Sequence, residues 1–233
     1  MCGRFTLIAW DEVEQRFLPA GSGMEIIRER FAETGPERYN IAPAQDVITI
    51  TGDGEANAAQ FMRWGLVPSW AKDVSIGSRM INARAETLAE RPSFRVAFRR
   101  RRCLVVADSF YEWKRDGRKR TPMRISLESG ELFGFAGLWE SWKGPEGRRI
   151  QSCTIVTTEA NEFLAPIHNR MPVILSRDAE PMWLDPDVQD TDALSELLAS
   201  YPSDLMNAYE VSSVVNSAAN DVPECIAPVV RLI

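Results

Sequence analysis

Cys2 has the widest chemical reach of any residue in this 233-residue chain, because it follows the initiator methionine. Methionine is usually removed when a small residue follows it, and the chain would then begin with an α-amine and a thiol on adjacent carbons. An α-amine of pKa ~7.7–8.0 is partly neutral near pH 7, whereas a lysine near ~10.4 is almost wholly protonated. Such an amine can attack an aldehyde to give a Schiff base. The neighbouring thiol can then close on the imine carbon as a five-membered thiazolidine, an intramolecular step with a very high effective concentration. The plain alternative is a small buried cysteine near a fraying end.

Three further stretches could serve such a centre. In Arg79-Met80-Ile81-Asn82-Ala83-Arg84-Ala85-Glu86 the alternation puts Asn82, Arg84 and Glu86 on one side and Ile81, Ala83 and Ala85 on the other. An amide can hydrogen-bond a reacting group without titrating, and a guanidinium can hold a phosphate; Arg84 and Glu86 could equally form a surface pair. Glu112 stands inside the aromatic run Ser109-Phe110-Tyr111-Glu112-Trp113-Lys114. A carboxylate there is costly to bury ionised, which suits proton transfer, although strand glutamates more often face solvent. His168 is the only histidine, within Ile167-His168-Asn169-Arg170-Met171-Pro172, and is the natural proton shuttle unless its role is structural; Arg170 beside it would suit an anion. In Trp64-Gly65-Leu66-Val67-Pro68-Ser69-Trp70, Trp64 reads as core and Trp70, past the proline, as a ring on which a base could stack.

The elements that must position these residues are mostly strands. Period-2 alternation marks Cys2–Leu7, and Val47–Ile50 leads through Gly52-Asp53-Gly54 to a second run over Ala58–Leu66. Cys103–Ala107, Phe110–Lys114, Met123–Leu127, Leu132–Leu138 and Ile150–Thr157 read as further strands, with turns at Asp116-Gly117 and Ser129-Gly130. Helical spacing appears at Trp10–Phe17, Met24–Phe31, Glu159–Leu164 and Asp192–Ala199. This pattern predicts an α+β class: a single β-rich domain over residues 1–233, with a curved, barrel-like antiparallel sheet and flanking helices.

Composition narrows the function classes. Hydrophobic residues at 45% and charged residues at 26% are ordinary globular values and argue against disorder. No apolar run approaches the ~20 residues of a membrane helix, and the N-terminus lacks a secretory pattern, so a soluble cytoplasmic protein is expected. Four scattered cysteines without a CxxC pair argue against structural zinc and a disulfide framework; neither metal nor cofactor is expected. The net charge of −6 hides a division: residues 91–124 hold twelve Arg/Lys against three Asp/Glu, whereas residues 175–233 hold two against eleven. A basic face toward a polyanion is one reading and a solvated arginine surface the other. DNA contact by residues 95–102 rests on charge alone.

Taken together, Met1-Cys2-Gly3-Arg4-Phe5, Tyr39-Asn40-Ile41-Ala42-Pro43, the 64–70 loop, INARAET at 81–87, FYEWK at 110–114 and IHNRMPVIL at 167–175 resemble the SRAP family (SOS response-associated peptidase), as does VSSVVNSAANDVPECI at 211–226. The resemblance runs through nearly the whole chain in order. It implies the compact β-rich fold of that family and covalent capture of abasic sites in single-stranded DNA, a role in DNA repair, with possible lyase activity and reversal of the crosslink. By resemblance, Cys2 is the nucleophile, Asn82 hydrogen-bonds the thiazolidine, Glu112 handles the amine's proton and His168 donates a proton as the sugar ring opens. Arg4, Arg84 and Arg170 would contact phosphates, and Pro43, Trp70, Trp113 and Thr157 would line the DNA path. The implied partner is single-stranded DNA containing abasic sites, bound by a monomer that is nucleoid-associated when on DNA, with no membrane contact. Two rival readings stand beside it: a cysteine-type autopeptidase using Cys2, His168 and Asn82, and a non-catalytic single-strand binder in which Cys2 is incidental.

Overall fold

The computed structural model describes residues 2–18, 23–34 and 37–229. Its strands in chain order are β1 (Phe5–Leu7), β2 (Arg38–Ile41), β3 (Asp46–Gly52), β4 (Asn57–Trp64), β5 (Asn82–Arg84) and β6 (Arg102–Ala107). They continue with β7 (Ser109–Asp116), β8 (Lys119–Leu127), β9 (Phe133–Lys143), β10 (Arg149–Glu159), β11 (Arg170–Pro172) and β12 (Met206–Glu210). The helices are α1 (Val13–Phe17), α2 (Met24–Thr34), α3 (Arg95–Arg100), α4 (Glu180–Leu184) and α5 (Thr191–Glu196), joined by short 3-10 turns.

Five strands close a barrel in the order β10-β4-β3-β6-β9, with β9 returning to β10. The ladder is antiparallel except where β10 meets β4 in parallel, Ser152 opposite Arg63 and Cys153 opposite Trp64. Closure leaves no free edges among these strands, which suits β6, whose six residues are all buried and read as one continuous apolar run after Arg102. Gly137 of β9 allows the tight approach to β6: a Cβ there would come within 2.9 Å of the Cys103 sulfur. Long β10 carries further pieces beyond the barrel, β5 in parallel and β11 antiparallel.

The second sheet, in the order β12-β8-β7-β1-β2, is antiparallel and packs on the barrel through aromatic rings. Phe5 of β1 stands edge-on to Trp64 at 5.1 Å and to Phe135 at 5.9 Å, while Phe110 and Phe133 meet Phe135 at 5.9 and 5.1 Å. Such pairs add ~0.5–1.5 kcal/mol each beyond their burial, so β1 is fastened firmly for a strand of only three residues. A buried polar knot adds to this. Asp108 accepts from the Thr6 hydroxyl and from the Ile8 and Ala9 N–H groups, and Arg124 reaches Ser109 Oγ at 2.8 Å and the Tyr209 hydroxyl at 2.7 Å.

The expected β-rich α+β class is the observed one, and each predicted strand is present within a few residues of its expected bounds. The turn at Asp116-Gly117 is also found, with Gly117 at φ +57°. Two expectations are corrected. Residues 159–164 do not form a helix: β10 runs through Glu159, and a single turn follows, closed by Ala165 N–H to Asn161 O at 2.9 Å. Asn161 also bonds its own loop through Leu164 N–H, and Pro166 lacks the N–H that a continuing helix needs. Nor is the basic run 95–102 one exposed face. Arg102 is buried and donates to the carbonyls of Trp183, Phe98, Arg99 and Asp185, Arg101 pairs with Glu140, and only Arg95, Arg99 and Arg100 are exposed. Among the described residues no helix is long and apolar enough to cross a membrane.

Candidate active site

Cys2 is fully buried, directly before the strand that the aromatic rings hold in place. Its sulfur lies 3.8 Å from the Arg4 carbonyl, and its own carbonyl accepts from Asn82 Nδ2 at 2.7 Å. Asn82 opens β5, which is fixed by its parallel register on β10 (Ile155 opposite Asn82, Thr157 opposite Arg84) and by Trp64 Nε1 donating to the Ile81 carbonyl at 2.9 Å. The other end of the same amide is different: Asn82 Oδ1 is buried with no hydrogen-bond partner. Glu112, on β7, is only 4% exposed. The Tyr111 N–H to Arg4 O bond of 2.9 Å extends the β1–β7 pairing toward Cys2. Burial pushes the Cys2 thiol well above its ordinary range, and the Glu112 carboxylate pushes it further, so the resting sulfur is a thiol and not a thiolate.

Two places along β5 the chain enters a second region. Arg84 lines an open cleft of about 860 Å³ together with Arg115, Glu159, His168, Asn169 and Arg170. Asn82 and Arg84 fall on one side of the strand, roughly 7 Å apart at the rise of an extended chain. His168 Nδ1 lies 3.0 Å from the Arg170 N–H and 3.1 Å from the Arg170 carbonyl, so the backbone of Arg170 holds the ring with either tautomer. Arg170 forks onto the Glu86 carboxylate at 2.5 and 3.0 Å and donates to the Thr157 carbonyl at 2.6 Å. Glu86 therefore pairs across the cleft with Arg170, not along the strand with Arg84.

The remaining residues singled out from sequence are spread over the rim and its supports. Arg4 donates to Asn40 Oδ1 at 3.0 Å and to the Val215 carbonyl at 2.8 Å, which ties it to the segment 211–226. Trp113 Nε1 donates to Asn216 Oδ1 of that segment at 2.7 Å. Pro43 is half-buried at the turn into β3, where the Ala44 N–H bonds the Trp64 carbonyl at 2.8 Å. Thr157 is buried on β10. Trp64 is core and Trp70 is 59% exposed, as expected. The Trp70 loop is firmly seated: Gly65, at φ +125°, lies so close to Gly77 that a Cβ would come within 2.7 Å of its carbonyl, and Trp142 Nε1 holds the Ala71 carbonyl at 2.7 Å.

Sequence reasoning gave no role to Asn40 or Arg115. Asn40 is fully buried and its amide donates to the carbonyls of Val215, Ser217 and Asn220, while Asp221 accepts from the Tyr39 and Asn40 N–H groups at 2.6 and 2.9 Å. These bonds latch segment 211–226 over Arg4. Arg115 stands near the tip of the β7–β8 hairpin; the only signal for it was the basic run flanking a tight turn. A separate hollow of about 570 Å³ between α1 and α4, around the Arg16–Glu180 pair, is lined by none of the candidate catalytic or DNA-binding residues.

A family model described as SOS response associated peptidase (SRAP) matches residues 1–218. The chain belongs to the SRAP family. Among similar proteins, the abasic site processing protein YoqW of Bacillus subtilis (strain 168) is 51% identical over 233 residues, covering 97% of this chain and 99% of YoqW. The abasic site processing protein HMCES of Rattus norvegicus is 35% identical over 198 residues, 72% of this chain and 56% of HMCES. A crystal structure of a protein from Bacteroides thetaiotaomicron superposes with a TM-score of 0.87 at 25% identity, covering 98% of this SRAP chain and all of that one. The match therefore spans both sheets and the segment 211–226.

Proposed function

We propose that this SRAP chain processes abasic sites in single-stranded DNA by forming a covalent link through Cys2. The relatives named above are abasic site processing proteins, and that shared name supports the substrate class. The observation that carries the chemistry is the Asn82 amide: Nδ2 is engaged by Cys2 itself, and Oδ1 is a buried acceptor without a donor. Buried polar atoms are almost always satisfied, so such an acceptor fits a donor supplied by a bound molecule. A sugar hydroxyl or the N–H of a thiazolidine is such a donor.

Removal of Met1 frees the α-amine, and Glu112 accepts a proton from its ammonium form. The neutral amine adds to the aldehyde carbon of the ring-opened sugar, and loss of water gives an imine. The Cys2 sulfur then adds to the imine carbon, its proton passes to the nitrogen, and the ring closes; amine, thiol and aldehyde yield thiazolidine and water. A thiol held protonated by burial favours this order, amine first and sulfur second. His168, its ring held by the Arg170 backbone, is the donor for sugar-ring opening and for reversal. Arg84, Arg4 and Arg170 supply positive charge to the phosphates, and Trp70, Trp113 and Pro43 border the strand, with the buried Thr157 behind them holding Arg170 through its carbonyl. The same imine gives a route to strand cleavage as a lyase. For a peptidase the thiol would need to be ionised by a neighbouring histidine, and its raised pKa weighs against that reading.

Cys2→Ala should abolish a heat-stable adduct with an abasic single-stranded oligonucleotide while leaving affinity for the intact oligonucleotide nearly unchanged. Cys2→Ser should still allow borohydride to trap an imine. Intact mass of the product reports Met1 removal and adduct together; an adduct formed at full yield by chains that retain Met1 would overturn the proposal.

A further inference from the structure

Arg170 presents an unusual guanidinium for a phosphate contact, because an anion already occupies it. Both terminal nitrogens fork onto Glu86 at 2.5 and 3.0 Å, and the Thr157 carbonyl takes a further bond from behind at 2.6 Å. The arginine side chain is 13% exposed and the glutamate 47%, so the carboxylate covers the guanidinium on its solvent side. A carboxylate and a phosphodiester offer the same pair of acceptor oxygens to this fork. The hydrogen bonds from Arg170 hold the Glu86 carboxyl below its usual range, so it stays ionised throughout the neutral region.

We propose that Glu86 is the resident occupant of a phosphate seat on Arg170, which a DNA phosphate must displace. The inference rests on the DNA reading above. It makes Glu86 a specificity residue. A strand in the correct register exchanges one anion for another at this seat and gains its selectivity from the remaining contacts. A polyanion in any other register meets a neutralised arginine. Arg84, exposed on the same cleft, has no such occupant: among the described residues the ion pair formed here is Arg170–Glu86. The cleft thus offers one open cation and one covered one.

The test uses the full chain and an intact single-stranded oligonucleotide, with affinity followed against salt. Glu86→Gln uncovers Arg170 and should tighten binding about three- to five-fold, the upper range for an exposed ion pair. The Arg170–phosphate contact forms in both chains, so the log–log salt slope should change by less than the ~0.7 of one whole contact. The gain should shrink to that of a plain charge removal when Arg170→Gln is combined with it. Glu159→Gln removes an equal charge from the same cleft without touching the fork, so its smaller gain should persist in the Arg170→Gln background. Glu86→Asp keeps the charge but loosens the bidentate fit, and should shift affinity in the same direction by less. The proposal is overturned by unchanged or weaker binding of Glu86→Gln, or by a gain that survives Arg170→Gln undiminished. If the unaltered chain fails to bind single-stranded DNA, the functional reading itself falls; if it binds and crosslinks normally while Glu86→Gln shows no gain, only this inference does.

Discussion

The two ends of β5 lie in different solvents. At Asn82 the surroundings are buried: Cys2 has no exposure, Glu112 almost none, and the rings of Phe5, Trp64 and Phe135 lie beneath. At Arg84 they are open and charged, with Arg115, Glu159 and the Arg170–Glu86 pair around a wide cleft. Imine and thiazolidine chemistry gains from exclusion of water, which would otherwise reverse each condensation. Phosphate recognition gains from long-range positive charge, which only an exposed cleft can offer to an approaching strand. One short strand joins the two, so under the proposed function the sugar to be captured and the phosphate beside it would be read from a single element.

The largest expected effect tests the dry side. Burial raises the thiols of Cys2, Cys103, Cys153 and Cys225 above their ordinary value of 9.0. In the unfolded chain the same thiols ionise near that value, so above it the unfolded state holds fewer protons than the folded one. Stability is therefore fully present below about pH 9 and falls as pH rises beyond it. The loss is on the order of 1 kcal/mol per pH unit for each thiol. Urea unfolding between pH 8 and pH 10 should show it, and Cys103→Ala with Cys153→Ala should remove about half of the slope. A slope unmoved by losing both cysteines would mean that this interior is wetter than the contrast requires.

Next in size is Asn82, the residue on which the dry side turns. Asn82→Ala removes both the bond to the Cys2 carbonyl and the waiting acceptor, and should slow adduct formation roughly 10- to 100-fold, below the ~10²–10³ of a donor aimed at developing charge because Oδ1 only accepts. Affinity for intact DNA should change far less. Equal losses in both would show that Asn82 supports the cleft and not the reaction.

How much of this contrast could be read in the sequence depends on range. Alternation in 79–86 placed Asn82 and Arg84 on one side, because a strand's period is local. The aromatic neighbours of Glu112 marked it as a candidate for burial for the same reason, although strand glutamates more often face solvent. The partner of Glu86 was not legible: Arg170 lies 84 positions away, on β11, a strand of three residues too short to show a period. Arg102 misled for a related cause. Its charge read as surface, whereas the carbonyls that satisfy it belong to α4 and to the end of α3, brought together only by barrel closure. Asn40 was noticed as part of a motif, yet its role as a latch needed the distant segment 211–226 to be in place.

The smallest expected effect sharpens the wet side. Arg84→Gln removes the exposed cation nearest the reacting end of β5 and leaves the Asn82 amide, the Cys2 thiol and the Arg170 fork as they are. Affinity for an intact single strand should fall only a few-fold, because an exposed charge is screened, and the log–log salt slope should become shallower by ~0.7, the share of one phosphate contact. At saturating DNA the rate of adduct formation should match that of the unaltered chain, since nothing about the buried centre has changed. An altered rate at saturation would place Arg84 among the groups that orient the sugar and would move the boundary between the two regions one residue pair along the strand. A salt slope that does not respond would remove Arg84 from the phosphate path and leave Arg115, across the same cleft, as the cation to test.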